Sequence, residues 1–273
     1  MKNGEVVNVD CDGYESRGTN AVAMLKELVA RMPEPFEGRR GYVNFQDFPP
    51  VPVPEGFDLM FCGTRWVDEP SPFLPFPSSN SPAWPQVGIT DGPGLIDELL
   101  AWDKPPEDQR AFWLGTNLHP ARVRLAGLSR EFPEAIDAEL MDWKRDAGQV
   151  EHQSTARFVS MRDQNRYKYL IDCPGLGYSG RLRWLLATGR PVFVIDRPWV
   201  EHWHARMKPW VHYVPVLDDL SDLMRAYHRL EADPVLYRMI SENARMFVRQ
   251  NLTRSKELER IAEYMKSEGA NLK

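Results

Sequence analysis

The stretch Tyr167-Lys-Tyr-Leu-Ile-Asp-Cys-Pro-Gly-Leu-Gly-Tyr-Ser-Gly-Arg181 decides the fold. Tyr167–Cys173 reads as a strand, a glycine-bearing turn follows, and Ser179–Thr188 reads as a helix. A turn of this kind aims backbone N–H groups at a phosphate, and the start of a helix adds partial positive charge there. Arg181 and Arg183 fall in the first helical turn, where cations are disfavoured. An anionic ligand removes that conflict; a plain turn with two solvated arginines is the other reading.

Strand–helix alternation continues on both sides. Ala111–Leu114 and Ala135–Leu140 read as strands around a helix at His119–Arg130, with further strands at Pro191–Asp196 and Val211–Val216. Helices at Leu220–Leu230, Val235–Val248 and Arg254–Lys266 close the chain, and Met224, Leu230, Leu236, Met239, Ile240 and Phe247 read as core stripes on them. Such alternation predicts an α/β fold with a parallel sheet covered by helices. Residues before about 105 differ in texture: they are proline-rich, with short apolar runs at Glu5–Val9, Tyr42–Phe45 and Asp58–Cys62. One helix is expected among them, Asn20–Arg31, and Asp68–Gly92 reads as a long ordered loop. The chain is accordingly divided into domains 1–105 and 106–273.

Composition narrows the function. The 273 residues are 42% hydrophobic and 27% charged, as in ordinary globular proteins, and the net charge of −5 argues against a general nucleic-acid binder. Basic residues nevertheless crowd one region, from Arg157, Arg162, Arg166 and Lys168 to Arg181, Arg183, Arg190 and Arg197, a hint of an anionic ligand. Cys11, Cys62 and Cys173 fit neither a disulfide framework nor a zinc spacing and read as buried thiols. No secretory signal and no membrane-spanning run is visible, so a cytoplasmic location is expected.

Three constellations carry chemistry. Gly175, Gly177 and Gly180 spell G-x-G-x-x-G, with Asp196 ending the next strand 21 residues after Gly175. That matches the dinucleotide fingerprint, but only 77 residues follow Asp196, too few for the rest of an NAD-dependent oxidoreductase. Phe112-Trp-Leu-Gly-Thr-Asn-Leu-His-Pro-Ala-Arg122 again places a hydroxyl and an arginine near a helix start, although an ordinary N-cap with a surface arginine fits equally. In Tyr42-Val-Asn-Phe-Gln-Asp-Phe-Pro, Asp47 follows a strand where open α/β sheets bind ligands; it reads as a general base or as a turn-capping aspartate. Asp10-Cys-Asp12 resembles a metal-holding D-x-D but reads as a turn, with no nucleotide-binding unit before it.

Taken with Met207-Lys-Pro-Trp-Val-His-Tyr-Val-Pro-Val216 and Asp219-Leu-Ser-Asp-Leu223, the run Tyr167–Leu186 strongly resembles glycosyltransferase family 90. That family holds Rumi-type protein O-glucosyltransferases, capsule xylosyltransferases and bacterial lipopolysaccharide glycosyltransferases. The resemblance covers roughly Tyr42 to Leu252. It implies a GT-B architecture, two Rossmann-like domains facing across a cleft, the N-terminal one on the acceptor side and the C-terminal one binding the nucleotide-sugar. It implies inverting transfer of glucose or xylose from a UDP-sugar to a hydroxyl of a glycan or lipid-linked oligosaccharide, with no metal or other cofactor. By matching motif, Asp47 falls on the catalytic base. Thr116 and Arg122 fall on donor-binding positions, and Leu176, Gly177, Tyr178, Ser179, Gly180 and Arg181 on the loop that wraps the donor. Glu201 falls near an acidic position guessed to touch the ribose. Leu114 stands where the family commonly has arginine, which keeps a non-catalytic UDP-sugar or glycan-binding protein in view.

Overall fold

The computed structural model describes residues 15–31, 43–44, 59–60, 62–64, 83–141, 143–144, 152–153 and 157–268. In chain order these give α1 (Glu15–Arg31), β1 (Val43–Asn44), β2 (Leu59–Met60), β3 (Cys62–Thr64), α2 (Gly92–Ala101), β4 (Asp108–Gly115), α3 (Pro120–Glu131), β5 (Ile136–Leu140), β6 (Trp143–Lys144) and β7 (His152–Gln153). There follow β8 (Tyr167–Asp172), α4 (Leu182–Ala187), β9 (Val192–Ile195), β10 (Trp199–Glu201), β11 (Val214–Val216), α5 (Leu223–Ala232), α6 (Pro234–Asn251) and α7 (Arg254–Glu268).

Five strands form one parallel sheet in the order β11–β9–β8–β4–β5. Counted along the chain, the strands lie 2-1-3-4-5, a doubly wound order whose direction reverses between β4 and β8. At such a switch point the loops after the two strands diverge to opposite faces and leave a crevice outside their carboxyl ends.

Alternation along β4 shows how the sequence builds both faces. Phe112 and Leu114 join one core with α2 and α4, while Ala111 and Trp113 join another with α3 and α5. Because both faces are covered, β9 is a continuous apolar run, and β8 is buried at every residue except half-buried Lys168 rather than at alternate ones. Helix α6 serves both cores, Leu236 and Ile240 in one and Ala244, Phe247 and Val248 in the other. Of the expected stripe residues, Met224 is only partly buried and Met239 is 41% exposed, so Met239 is not core. In α1, Met24 and Val29 are buried as the periodicity predicts, and Glu27 receives Arg254 of α7 with an Nε to Oε2 distance of 3.1 Å.

Three local expectations change. Helix α2 lies in the half where only Asn20–Arg31 was expected; Gly92-Pro-Gly hides it, but Asp91 caps it by accepting from the Gly94 N–H at 3.0 Å. Leu95, Ile96, Leu99 and Leu100 then pack in the same core as α4. Helix α4 opens at Leu182 rather than Ser179 and runs only six residues. The last strand is Val214–Val216, because the preceding Lys208–His212 segment forms a turn with Trp210 in the left-handed region (φ 60°) and Arg229 over its ring at 4.0 Å. The Lys-Pro-Trp-Val-His-Tyr motif thus sits before the start of β11, at the end of the sheet opposite the crevice. The Glu5–Val9 run and Cys11 lie outside the described residues.

Gly189 closes α4 with φ 70°, a conformation costly to any side chain. A Cβ there would come 2.1 Å from Nε of Arg245, whose guanidinium donates to the carbonyls of Thr188 and Trp102. Gly189→Ala is expected to cost about 1–3 kcal/mol of stability, read as a fall of several degrees in thermal midpoint; an unchanged midpoint would contradict this packing.

Candidate functional site

The crevice between β4 and β8 gathers most of the residues singled out above. After β4, Gly115 leads to Thr116, and His119 caps α3 by accepting the Ala121 N–H at Nδ1, 3.2 Å. Arg122, on the first turn of α3 and 7% exposed, reaches across the gap. Its Nε donates to the Pro174 carbonyl at 2.7 Å and its Nη1 to the Thr116 carbonyl at 2.9 Å, with the Thr116 hydroxyl at 3.4 Å. From the other loop, half-buried Arg181 donates Nη1 to the Leu114 carbonyl at 3.0 Å. The Trp113 indole keeps the two guanidinium groups company, Arg122 at 5.5 Å and Arg181 at 5.9 Å from its centroid, a cation–π arrangement on each.

Every one of these hydrogen-bond acceptors is neutral, and the carboxylate whose charge acts on both arginines, Asp172, offsets the cost of their burial only in part. Burial, with the charge of Arg181 next, brings the Arg122 guanidinium down to about 10. Burial also lowers Arg181; a guanidinium keeps its proton in proteins, so each remains a cation. His119 is lowered by burial and then by Arg122 and Arg197. Burial pushes the Cys173 thiol up to about 12, which makes it an inert core group. Two cations closer than their mutual repulsion favours are the electrostatic signature of a site for a polyanion.

Glycine permits the crowding. A Cβ on Gly115 would meet the Trp113 ring at 2.7 Å and Arg181 Nη2 at 3.2 Å, and one on Gly175 would meet Arg122 Nη2 at 3.1 Å. Gly177 and Tyr178 are buried, Gly180 is half-buried, and Leu176 is 59% exposed on the loop surface. Ser179 is buried, its hydroxyl donating to Asp172. Leu114, in the family's arginine position, buries its side chain in the apolar core and offers only its carbonyl to the site.

The basic stretch from 157 to 197 is not one patch. Arg157 binds Asp137 and Glu139, Arg162 binds Glu98, Lys168 binds Glu231, and Arg190 donates to the Asn165 and Lys104 carbonyls. Arg183, expected to face an anion, is instead wholly buried against Glu257 at 2.6 Å and Glu201 at 3.5 Å. Protein carboxylates, not a ligand, resolve its placement. Glu201 is thus committed to Arg183, on β10, which pairs antiparallel with β3. The sequence reading singles out neither Trp113 nor Asp172, and it gives Arg197 only as one of the crowded basic residues. Arg197 is the residue after Asp196 and so lies just beyond a strand's carboxyl end, a signal that was available. Asp47 and Asp10-Cys-Asp12 lie outside the described residues. Among the described residues no three His, Cys, Asp or Glu side chains gather as metal ligands do, and no helix is long and apolar enough to cross a membrane.

Burial, only partly offset by Arg183, raises Glu201 from its ordinary 4.5 to about 7. Between those values the folded protein holds a proton that the unfolded chain has lost, so this contribution to stability is complete below about 4.5 and disappears as pH rises through about 7. The thermal midpoint of the wild type relative to Glu201→Gln should therefore fall across that window. A difference independent of pH would show that the carboxyl stays ionised.

The chain is similar to Protein O-glucosyltransferase 1 of Homo sapiens, 27% identical over 88% of this chain and 63% of that protein, and to its Bos taurus counterpart, 26% identical over 92% and 66%. Against Protein O-glucosyltransferase 2 of Danio rerio the identity is 34%, over 45% of this chain and 24% of the other. The chain therefore spans a little under two thirds of the length of these curated relatives. The model of the family described as Glycosyl transferase family 90 matches residues 59–267, and the chain belongs to that family.

Proposed function

We propose that this chain transfers a sugar from a UDP-sugar to a hydroxyl of a glycan or lipid-linked oligosaccharide, inverting the anomeric centre and using no metal. The observation that carries the proposal is the pair Arg122 and Arg181, held by neutral carbonyls at the switch point of a chain of this family. A nucleoside diphosphate supplies the two negative charges such a pair lacks. The relatives' names favour glucose over xylose as the sugar. The proposed architecture is GT-B, with residues 1–105 facing the acceptor and 106–273 the donor, and the proposed location is the cytoplasm.

The step is one in-line displacement. The Asp47 carboxylate takes the proton of the acceptor hydroxyl as its oxygen bonds to the anomeric carbon. The bond from that carbon to the β-phosphate oxygen breaks, and its electron pair leaves with UDP. Arg122 and Arg181 stabilise the charge growing on the phosphate, the part a metal plays elsewhere. Thr116 and the 176–181 loop orient the donor. The ribose contact guessed for Glu201 is not carried forward, since its carboxylate is engaged with Arg183.

A panel of UDP-sugars, with UDP release read in the presence and absence of host glycan, tests the proposal directly. Glucose is expected to be preferred, and no release with any donor would favour the binding-protein alternative that Leu114 keeps in view. Asp47→Asn should cut turnover by about 10²–10⁴-fold while UDP still binds; near-full turnover would remove Asp47 from its role. Arg181→Ala should lower kcat/KM by about 100-fold, through both donor binding and turnover. Unchanged kinetics would exclude the arginine from the diphosphate.

A further inference from the structure

Ser179 lies on the loop that the family resemblance assigns to the donor, yet its hydroxyl is already engaged. Oγ donates to Oδ1 of Asp172, a carboxylate with 0% exposure at the end of β8. A serine hydroxyl carries one hydrogen, and a phosphate oxygen can only accept. While that hydrogen is given to Asp172, Ser179 has none to give to a diphosphate.

The second carboxylate oxygen is also in use. Arg197, 5% exposed and just beyond the end of β9, donates Nη2 to Asp172 Oδ2 and lies 3.5 Å from the Asp172 carbonyl. Its charge is among those that depress Arg122, Arg181 and His119, which places it beside the cation pair. A single buried carboxylate therefore grips the β8–α4 loop with one oxygen and a third guanidinium with the other.

We propose that Asp172 is a positioning residue for the donor. Through Ser179 it latches the 175–181 loop, and through Arg197 it holds a third cation at the switch point. Ser179 then serves by shaping the loop, not by contacting the diphosphate. This assignment rests on the UDP-sugar function proposed above. It also explains why a carboxylate is needed: both of its oxygens accept, whereas an asparagine turns one of them into an N–H donor and carries no charge to balance Arg197.

Two measurements on the full chain test it. Without ligand, Ser179→Ala should speed amide hydrogen exchange across residues 175–181 by about tenfold, the scale of one hydrogen bond to a charged group. The thermal midpoint should fall by no more than the few degrees one such hydrogen bond is worth, and Ser179→Thr should restore the wild-type rate. In titrations with UDP, Ser179→Ala should raise Kd about tenfold and Asp172→Ala at least as much, and the double variant should bind no worse than Asp172→Ala alone, because that change already removes the serine's acceptor. Unchanged exchange in Ser179→Ala, or Kd effects that multiply, would overturn the latch. If the wild type binds no UDP, the proposed function falls while the exchange result still decides the role of Asp172.

Discussion

Arg122 leaves the first turn of α3, crosses the gap between β4 and β8, and donates to the carbonyls of Thr116 and Pro174 on its two sides. That bridge fixes how far apart the two loops stand, and its acceptors are neutral. A buried cation with no carboxylate among its hydrogen-bond acceptors costs several kcal/mol, so the surrounding sheet must hold it there. Trp113 on the same strand helps, since an indole face attracts a guanidinium without cancelling its charge. The result is a rigid crevice wall whose positive charge is available to a ligand.

Two residues beyond Arg181, Arg183 shows the opposite solution. It is equally interior, but Glu257 and Glu201 neutralise it, and the three groups join α4, α7 and β10. Removing one partner from such a cluster strands a buried charge, whereas the pairing itself adds little net stability. Its use is to fix where α4 sits. Since Arg181 precedes α4 directly, the neutral cluster beneath the helix positions the unneutralised cation above it. Charge that locates the element and charge proposed to serve the donor lie two residues apart.

Much of this was legible in the sequence, for identifiable reasons. A strand buried on both faces announces itself as an apolar run, which makes β9 plain, and the aromatic and branched residues of β8 with the glycine turn after them mark that strand. Arg122 and Arg181 were found because both sit just past a strand's carboxyl end. Helix α2 was not, because Gly92-Pro-Gly looks like loop until its apolar face meets α4. The arginine run misled for a different reason. Charge along a chain says nothing of which carboxylates fold against it, and Glu257, 74 positions from Arg183, is invisible to any local pattern. Asp172 is the last residue of β8, where its one distinguishing feature is the pair of partners that folding delivers.

The short α4 settles which feature supplies the positive potential. A six-residue helix has few aligned peptide dipoles, and its N-cap is a bulky cation rather than a serine or aspartate. Its contribution to binding an anion is therefore small beside two guanidinium groups at the same crevice. The glycines take on a different meaning as a consequence. In a dinucleotide fold they let the backbone approach a pyrophosphate. Here Gly175 makes room for Arg122 Nη2 and Gly115 for Arg181 Nη2, so at these positions the missing side chains admit the protein's own cations. The G-x-G-x-x-G spacing and the dinucleotide fingerprint share a pattern because both need close approach, but the approaching group is different, and with it the chemistry.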